Sequence, residues 1–246
     1  MASRIEDYAL IGDCETAALV ARDGSIDWLC LPRFDSSACF AALLGTPDHG
    51  RWQIAPASPP RAIRRRYRGE TLVLETEFET DEGVVALIDT MPPRPGTPML
   101  ARVVEGRRGQ VPMRMDFALR FDYGTRVPWV RRTDDGLRAV CGPDALRLRT
   151  PVDLVGRDMR TVAEFTVAAG ERVPFVAAWY RSHEGEPPAL DAMDCLAETE
   201  RFWAEWCTSC QARSRPLPHR RRRRSTPRRP LPLRCCRRSA GRPSRT

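Results

Sequence analysis

Five residues near the start of this sequence carry side chains suited to holding a polar, ring-shaped ligand. Asp27-Trp28 and Arg33-Phe34-Asp35 bracket Cys30-Leu31-Pro32, where the proline marks the end of a strand and the start of a loop. Arginine supplies planar donors, an aromatic ring an apolar platform and a carboxylate an acceptor, which is what sugar hydroxyls and ring faces bind. The same residues have a plain alternative, in which Arg33 and Asp35 pair with each other and Phe34 packs on the segment that follows. Asp7, Asp13, Asp23, Asp27 and Asp35 lie close enough in sequence to suggest a pair of acids. Asp23 reads more simply as a turn residue in Arg22-Asp23-Gly24, and Asp7 and Asp13 as caps or surface charges. His49, His183 and His219 are scattered, and no glycine-rich phosphate loop, metal-ligand constellation or serine–histidine arrangement occurs. No catalytic residue, cofactor or metal is therefore expected.

The elements that must position these residues read as short strands separated by turns. Thr16 to Val20 and Ser25 to Leu31 flank Arg22-Asp23-Gly24 as a hairpin. Ser37 to Leu44 is an apolar run without β-branched residues, stopped by Gly45, and reads as two helical turns. Thr71 to Thr80 sets Leu72, Leu74, Thr76 and Phe78 against Val73, Glu75, Glu77 and Glu79, and turns at Asp81-Glu82-Gly83 into Val84 to Asp89. Met113 to Tyr123 puts Met113, Met115, Phe117, Leu119, Phe121 and Tyr123 on a core face. Arg114, Asp116, Arg120 and Asp122 then face solvent or a groove. Further strands fall near 127–132, 137–141, 145–150, 161–168 and 172–181, and their number without a long intervening helix predicts an all-β antiparallel sandwich. From Ala189 to Trp206 the period becomes helical, with Leu190, Met193, Leu196, Phe202, Trp203 and Trp206 on the apolar side.

Composition changes abruptly after Trp206. Residues 207–246 hold fourteen arginines, six prolines and four cysteines, with no Asp or Glu. With this stretch at +14 and the chain at +8, residues 1–206 carry −6, so the basic balance belongs to the tail. Every basic residue is arginine, which fits an out-of-frame reading of a GC-rich gene, and the tail is expected to be disordered. Cys207 and Cys210 form a CxxC, but with one nearby histidine a zinc site is not expected. Cys14, Cys30, Cys39, Cys141 and Cys195 read as reduced structural thiols. The polar, acidic start and the lack of a long apolar run predict a cytoplasmic location without membrane contact.

Ile5-Glu6-Asp7-Tyr8-Ala9-Leu10-Ile11-Gly12-Asp13, Thr16 to Val20 and Asp23-Gly24-Ser25-Ile26-Asp27-Trp28 through Pro32-Arg33-Phe34-Asp35-Ser36 resemble the amino-terminal signature of bacterial glycoside hydrolase family 15. Cys39 to Gly45 and Gly50-Arg51-Trp52 extend the likeness, and Arg201-Phe202-Trp203-Ala204-Glu205-Trp206 does so more loosely. The resemblance implies a glucoamylase-like or trehalase-like enzyme: an amino-terminal sandwich (a super-sandwich), a linker helix and an (α/α)6 barrel. In such enzymes two barrel glutamates cleave an α-glucosidic bond (in trehalose, maltose or a glucan) with inversion, roughly 6.5–9.5 Å apart to admit a water. The expected division is a trehalase-like sandwich over 1–188, a linker helix over 189–206 and a tail over 207–246. The catalytic barrel is then a missing intramolecular partner, and Asp27, Trp28, Arg33, Phe34 and Asp35 would help to shape the substrate pocket of an intact relative. A free-standing carbohydrate-binding module and a nucleic-acid binder acting non-specifically through the tail are the alternatives. The first predicts sugar binding by residues 1–206 alone, the second an affinity that falls steeply with salt.

Overall fold

The computed structural model describes residues 4–93 and 96–213. Among them lie fifteen strands: β1 Ala9–Gly12, β2 Ala17–Val20, β3 Ser25–Cys30, β4 Ala38–Phe40, β5 Arg51–Pro56, β6 Ala62–Tyr67, β7 Leu74–Glu79, β8 Gly83–Thr90, β9 Met99–Ala118, β10 Trp129–Thr133, β11 Gly136–Cys141, β12 Asp144–Arg149, β13 Val155–Arg157, β14 Arg160–Ala168 and β15 Arg172–Arg181. One helix follows, α1 Ala192–Arg213. The pairings are antiparallel and form two sheets that share β9. One sheet runs β6-β7-β8-β9-β15-β12-β11-β10. The other runs β1-β2-β3-β5-β9-β14-β13, with β4 paired to β3.

The length of β9 explains how one strand serves both sheets. Its first half pairs with β8 and β15, its second with β5 and β14. Leu100, Arg102 and Val104 point into the core at even positions, whereas Val111, Met113, Met115 and Phe117 do so at odd ones. Side chains alternate with period two, so this change of parity needs one extra residue. The register on β8 supplies it: Val84 pairs with Arg108 and Val85 with Gly106, leaving Arg107 as a bulge. Gly109 takes φ +71° at this kink, and a Cβ on Gly106 would collide with the Ala168 carbonyl oxygen.

Arg102 ties the two sheets together from inside. It lies directly across from Asp89, and both side chains are fully buried. Its Nε donates to Asp89 at 2.7 Å, and its two terminal nitrogens donate to the carbonyls of Trp52 at 2.6 Å and Gly24 at 2.7 Å on the other sheet. The guanidinium stacks 5.1 Å from the Trp52 ring. On the outer face of the first sheet, Val73, Ile88, Ala101, Val103 and Val176 receive Ala192, Cys195 and Leu196 of α1. The arginines of β6 meet the glutamates of β7: Arg64 reaches Glu77 at 3.1 Å and Arg66 reaches Glu75 at 2.7 Å.

Three expectations need correction. Ser37–Leu44 is not two helical turns: it forms β4 and a single 3-10 turn at Ala42–Leu44. Pairing of Phe40 with Leu29 gives the backbone its partners while burying Ala38, Cys39 and Phe40. The strand expected to reach Tyr123 ends at Ala118, because Asp122 and Tyr123 turn with φ of +54° and +57° and leave Tyr123 at the surface. The helix expected over 189–206 starts at Ala192, where the Asp191 carboxylate accepts from the amides of Met193 and Asp194. It then continues to Arg213, since the change in composition at Cys207 brings no Pro or Gly before that point. Cys207 is therefore helical, and its Sγ lies 3.3 Å from the Glu70 carbonyl oxygen. The disorder expected of the arginine- and proline-rich tail, and any nucleic-acid contact through it, concern 214–246, outside the described residues.

Candidate functional site

The loop after β3 is fixed by the backbone around it. The Thr16 hydroxyl donates to the Cys30 carbonyl at 2.6 Å, and the Phe34 amide donates to the Glu15 carbonyl at 3.1 Å. Within the loop, the Arg33 amide donates to the Ser36 hydroxyl at 3.2 Å, and the Ser36 amide donates to the Arg33 carbonyl at 3.0 Å. These bonds hold residues 31–36 against the β1–β2 turn, so the exposed side chains stand on an ordered support.

Arg33 Nε donates to Asp35 at 3.0 Å, with both side chains more than half exposed. That hydrogen bond raises the Arg33 guanidinium above its ordinary value and lowers the Asp35 carboxyl below its own. Such an exposed pair contributes little to stability. Phe34 is 70% exposed, so the pairing half of the plain alternative holds and the packing half does not. Trp28 sits at the base of the loop, its ring 6.1 Å from that of Tyr123, and packs with Cys30, Ala38 and Ala41. The Tyr123 amide donates to the Ala38 carbonyl at 3.0 Å, bringing this second aromatic to the same place.

Asp27 does not join them. It is the extra residue where β3 bulges against β2, Val20 pairing with Ile26 and Leu19 with Trp28, and it is buried, accepting from the Tyr8 hydroxyl at 2.7 Å and from Ser25 Oγ. Asp13 and Asp23 are likewise engaged. Asp13 accepts from the amides of Glu15 and Thr16, and Asp23 from the Ser25 amide and Gln53 Nε2. Sequence reasoning missed Tyr123, which it placed in the core; the Asp122-Tyr123-Gly124 turn chemistry was the available signal. Among the described residues no group of His, Cys, Asp and Glu could hold a metal ion, and no helix is long and apolar enough to cross a membrane. The cysteines that the structure describes are free thiols, with Cys30, Cys39 and Cys195 buried.

Comparison with known proteins gives this fold and loop a context. The chain is 30% identical over 231 residues to a trehalase of Mycolicibacterium smegmatis, covering 82% of this chain and 34% of that protein. It is 26% identical over 212 residues to a trehalase of Thermoplasma volcanium, covering 84% and 34%. To trehalase 1 of Sulfolobus acidocaldarius it is 35% identical over 134 residues, covering 54% and 23%. The chain thus spans between about a quarter and about a third of the length of these curated relatives. The family described as "Trehalase-like, N-terminal" matches residues 1–178, and the chain belongs to that family.

Proposed function

We propose that this chain is the non-catalytic amino-terminal part of a glycoside hydrolase family 15 enzyme, trehalase-like or glucoamylase-like, acting on α-glucosidic bonds in the cytoplasm. The observation that carries this reading is the family match over residues 1–178. In this reading residues 1–188 are the sandwich domain, the helix that follows is the link, and both catalytic glutamates belong to a barrel encoded downstream in another frame. The composition of the sequence after Trp206 supports the frame change, and the engagement of Asp13, Asp23, Asp27 and Asp35 in hydrogen bonds supports a sandwich without hydrolytic chemistry of its own.

Arg33, Phe34 and Asp35 border the substrate pocket of the intact enzyme, while Asp27 braces β3 through Tyr8 and Ser25. The exposure of Phe34 on an ordered loop supports this role. It also favours a second reading, in which the sandwich binds an α-glucoside without cleaving it.

Two measurements test the proposal. The purified chain, given trehalose or maltose, is expected to release no glucose above buffer; enzyme-like turnover would overturn it. In a full-length relative bearing the same motif, the counterpart of Arg33→Ala is expected to raise KM with the fold intact. Unchanged KM and kcat would remove the loop from the substrate pocket.

A further inference from the structure

A cleft of about 480 Å³ opens where the end of β9 meets the β10–β11 and β13–β14 hairpins. Its floor is apolar, formed by Phe117, Leu119, Leu137 and Leu154. Met159 and Val130 stand on the rim, 75% and 46% exposed. Arg120, Arg132, Arg157 and Arg160 also line it, with Asp158 as the acid among the lining residues.

Arg120 sets this cleft apart. The described residues include three buried arginines, Arg102, Arg120 and Arg147. Arg102 has Asp89, and Arg147 has Asp135 and Glu186. Arg120 has no carboxylate in ion-pair contact, and its side chain donates one hydrogen bond, from a terminal nitrogen to the Leu119 carbonyl at 2.8 Å. Burial, and then the neighbouring Arg160, push its guanidinium below the usual arginine range against the weaker attraction of Asp48 and Asp116. Arginine nevertheless keeps its proton, so a charge without a carboxylate in contact is held at a largely buried position with most of its donors unused by the protein. Asp48 and Asp116 attract it from a distance, but neither is in contact with it. Arg160 is itself engaged by Asp48 and Asp116, and Arg132 by Asp153. Arg157 at the mouth makes no ion pair among the described residues and is exposed.

We propose that this cleft binds a small oxyanion, a carboxylate or phosphate group carried on an apolar or ring-shaped body. Arg120 takes the anionic group at depth, Arg157 approaches it from the rim, and Leu119, Leu154 and Met159 cover the body. The volume lies within the range of small-molecule sites, roughly 300–1,000 Å³. The inference stands apart from the role given to the 33–35 loop.

The test titrates the full chain with inorganic phosphate, phenyl phosphate and phenylacetate by calorimetry at low salt. Because the fourteen arginines after Trp206 also attract anions, the quantity read is the difference between the wild type and cleft variants. Phenyl phosphate or phenylacetate is expected to bind at least tenfold more tightly than inorganic phosphate, and whichever is tighter tells phosphate from carboxylate. Arg120→Met is expected to weaken that binding at least tenfold while melting no lower than the wild type, since it removes an unpaired buried charge. Arg157→Ala, an exposed change, is expected to weaken binding severalfold and carries the test if Arg120→Met fails to fold. Equal affinity of all three probes for the wild type and the variants would overturn the site. So would a wild type that binds none of them specifically while Arg120→Met melts lower.

Discussion

Replacing Arg102 by Met tests whether the sandwich depends on its one fully buried arginine–aspartate contact. Arg102 and Asp89 are both completely inaccessible, and the arginine also bonds carbonyls of the opposite sheet. Met fills much of the volume but leaves Asp89 charged and unpaired in the core. Breaking a buried pair from one side costs about 3–5 kcal/mol, a large part of a total stability of roughly 5–15 kcal/mol. The double variant Arg102→Met/Asp89→Leu removes the stranded charge as well. Its remaining loss comes from the Trp52 and Gly24 carbonyls, which lose the charged donors at 2.6 and 2.7 Å but stay paired across the β3–β5 ladder, Gly24 with the Ile54 amide at 3.2 Å. Losing those bonds without orphaning either acceptor costs less than stranding the Asp89 charge, so the double variant is expected to be more stable than the single one. Urea unfolding followed by tryptophan fluorescence reads both, and Trp52, stacked under Arg102, reports from the site itself. A loss below about 1 kcal/mol in the single variant would refute the reasoning, on the scale set for such pairs. A double variant no more stable than the single would refute it equally.

Glu75 supplies a pH-dependent counterpart. Burial works to raise its carboxyl, but hydrogen bonds from Arg66 and Arg68 outweigh it and hold the group below its ordinary 4.5. The folded state therefore binds this proton more weakly than the unfolded chain, so the contribution is complete above about pH 4.5 and is lost as the pH falls further. Glu75→Gln is expected to lower stability at pH 7 and to flatten the acid limb of a stability–pH curve, and an acid limb of unchanged slope would refute the assignment. At the bulge in β9, Gly106→Ala forces a methyl into the Ala168 carbonyl. It is expected to cost about 2–3 kcal/mol in urea unfolding, whereas an effect within about 0.5 kcal/mol would mean that the kink relaxes freely.

Much of the sheet was legible in the chain because its strands bury one face. The segment Met113 to Phe117 alternates, and its apolar residues do line the core. The first half of β9 was not legible. Residues 100–106 are buried on both faces, one against the opposite sheet and one beneath α1, so no alternation marks them. The run Arg64-Arg65-Arg66 was likewise silent as a strand, because its fitness for β6 depends on Glu75, Glu77 and Glu79 standing opposite. In both places the information lies in a partner distant in sequence. Ser37–Leu44 misled for a related reason: β4 exists because β3 offers it an edge, which local propensity does not encode.

The site followed the same division. Arg33, Phe34 and Asp35 were readable because proline and the surrounding polar residues mark a loop, and exposure follows from that. Asp27 was grouped with them by adjacency, but it is the bulged residue of β3, and it faces Tyr8 instead. Arg120 shows what adjacency cannot reach. On the strand pattern it shared a polar face with Arg114, Asp116 and Asp122, and nothing in that pattern separates it from them. Asp116 has Arg51 and Arg160, and Asp122 has Arg126, yet Arg120 is buried without a carboxylate in contact. A charged residue becomes a candidate for binding through the count of partners it lacks, and that count exists only once β13 and β14 have folded back beside the end of β9. The physical signature of such a site is a destabilising residue: removing it should leave the fold no weaker and the cleft without its anion.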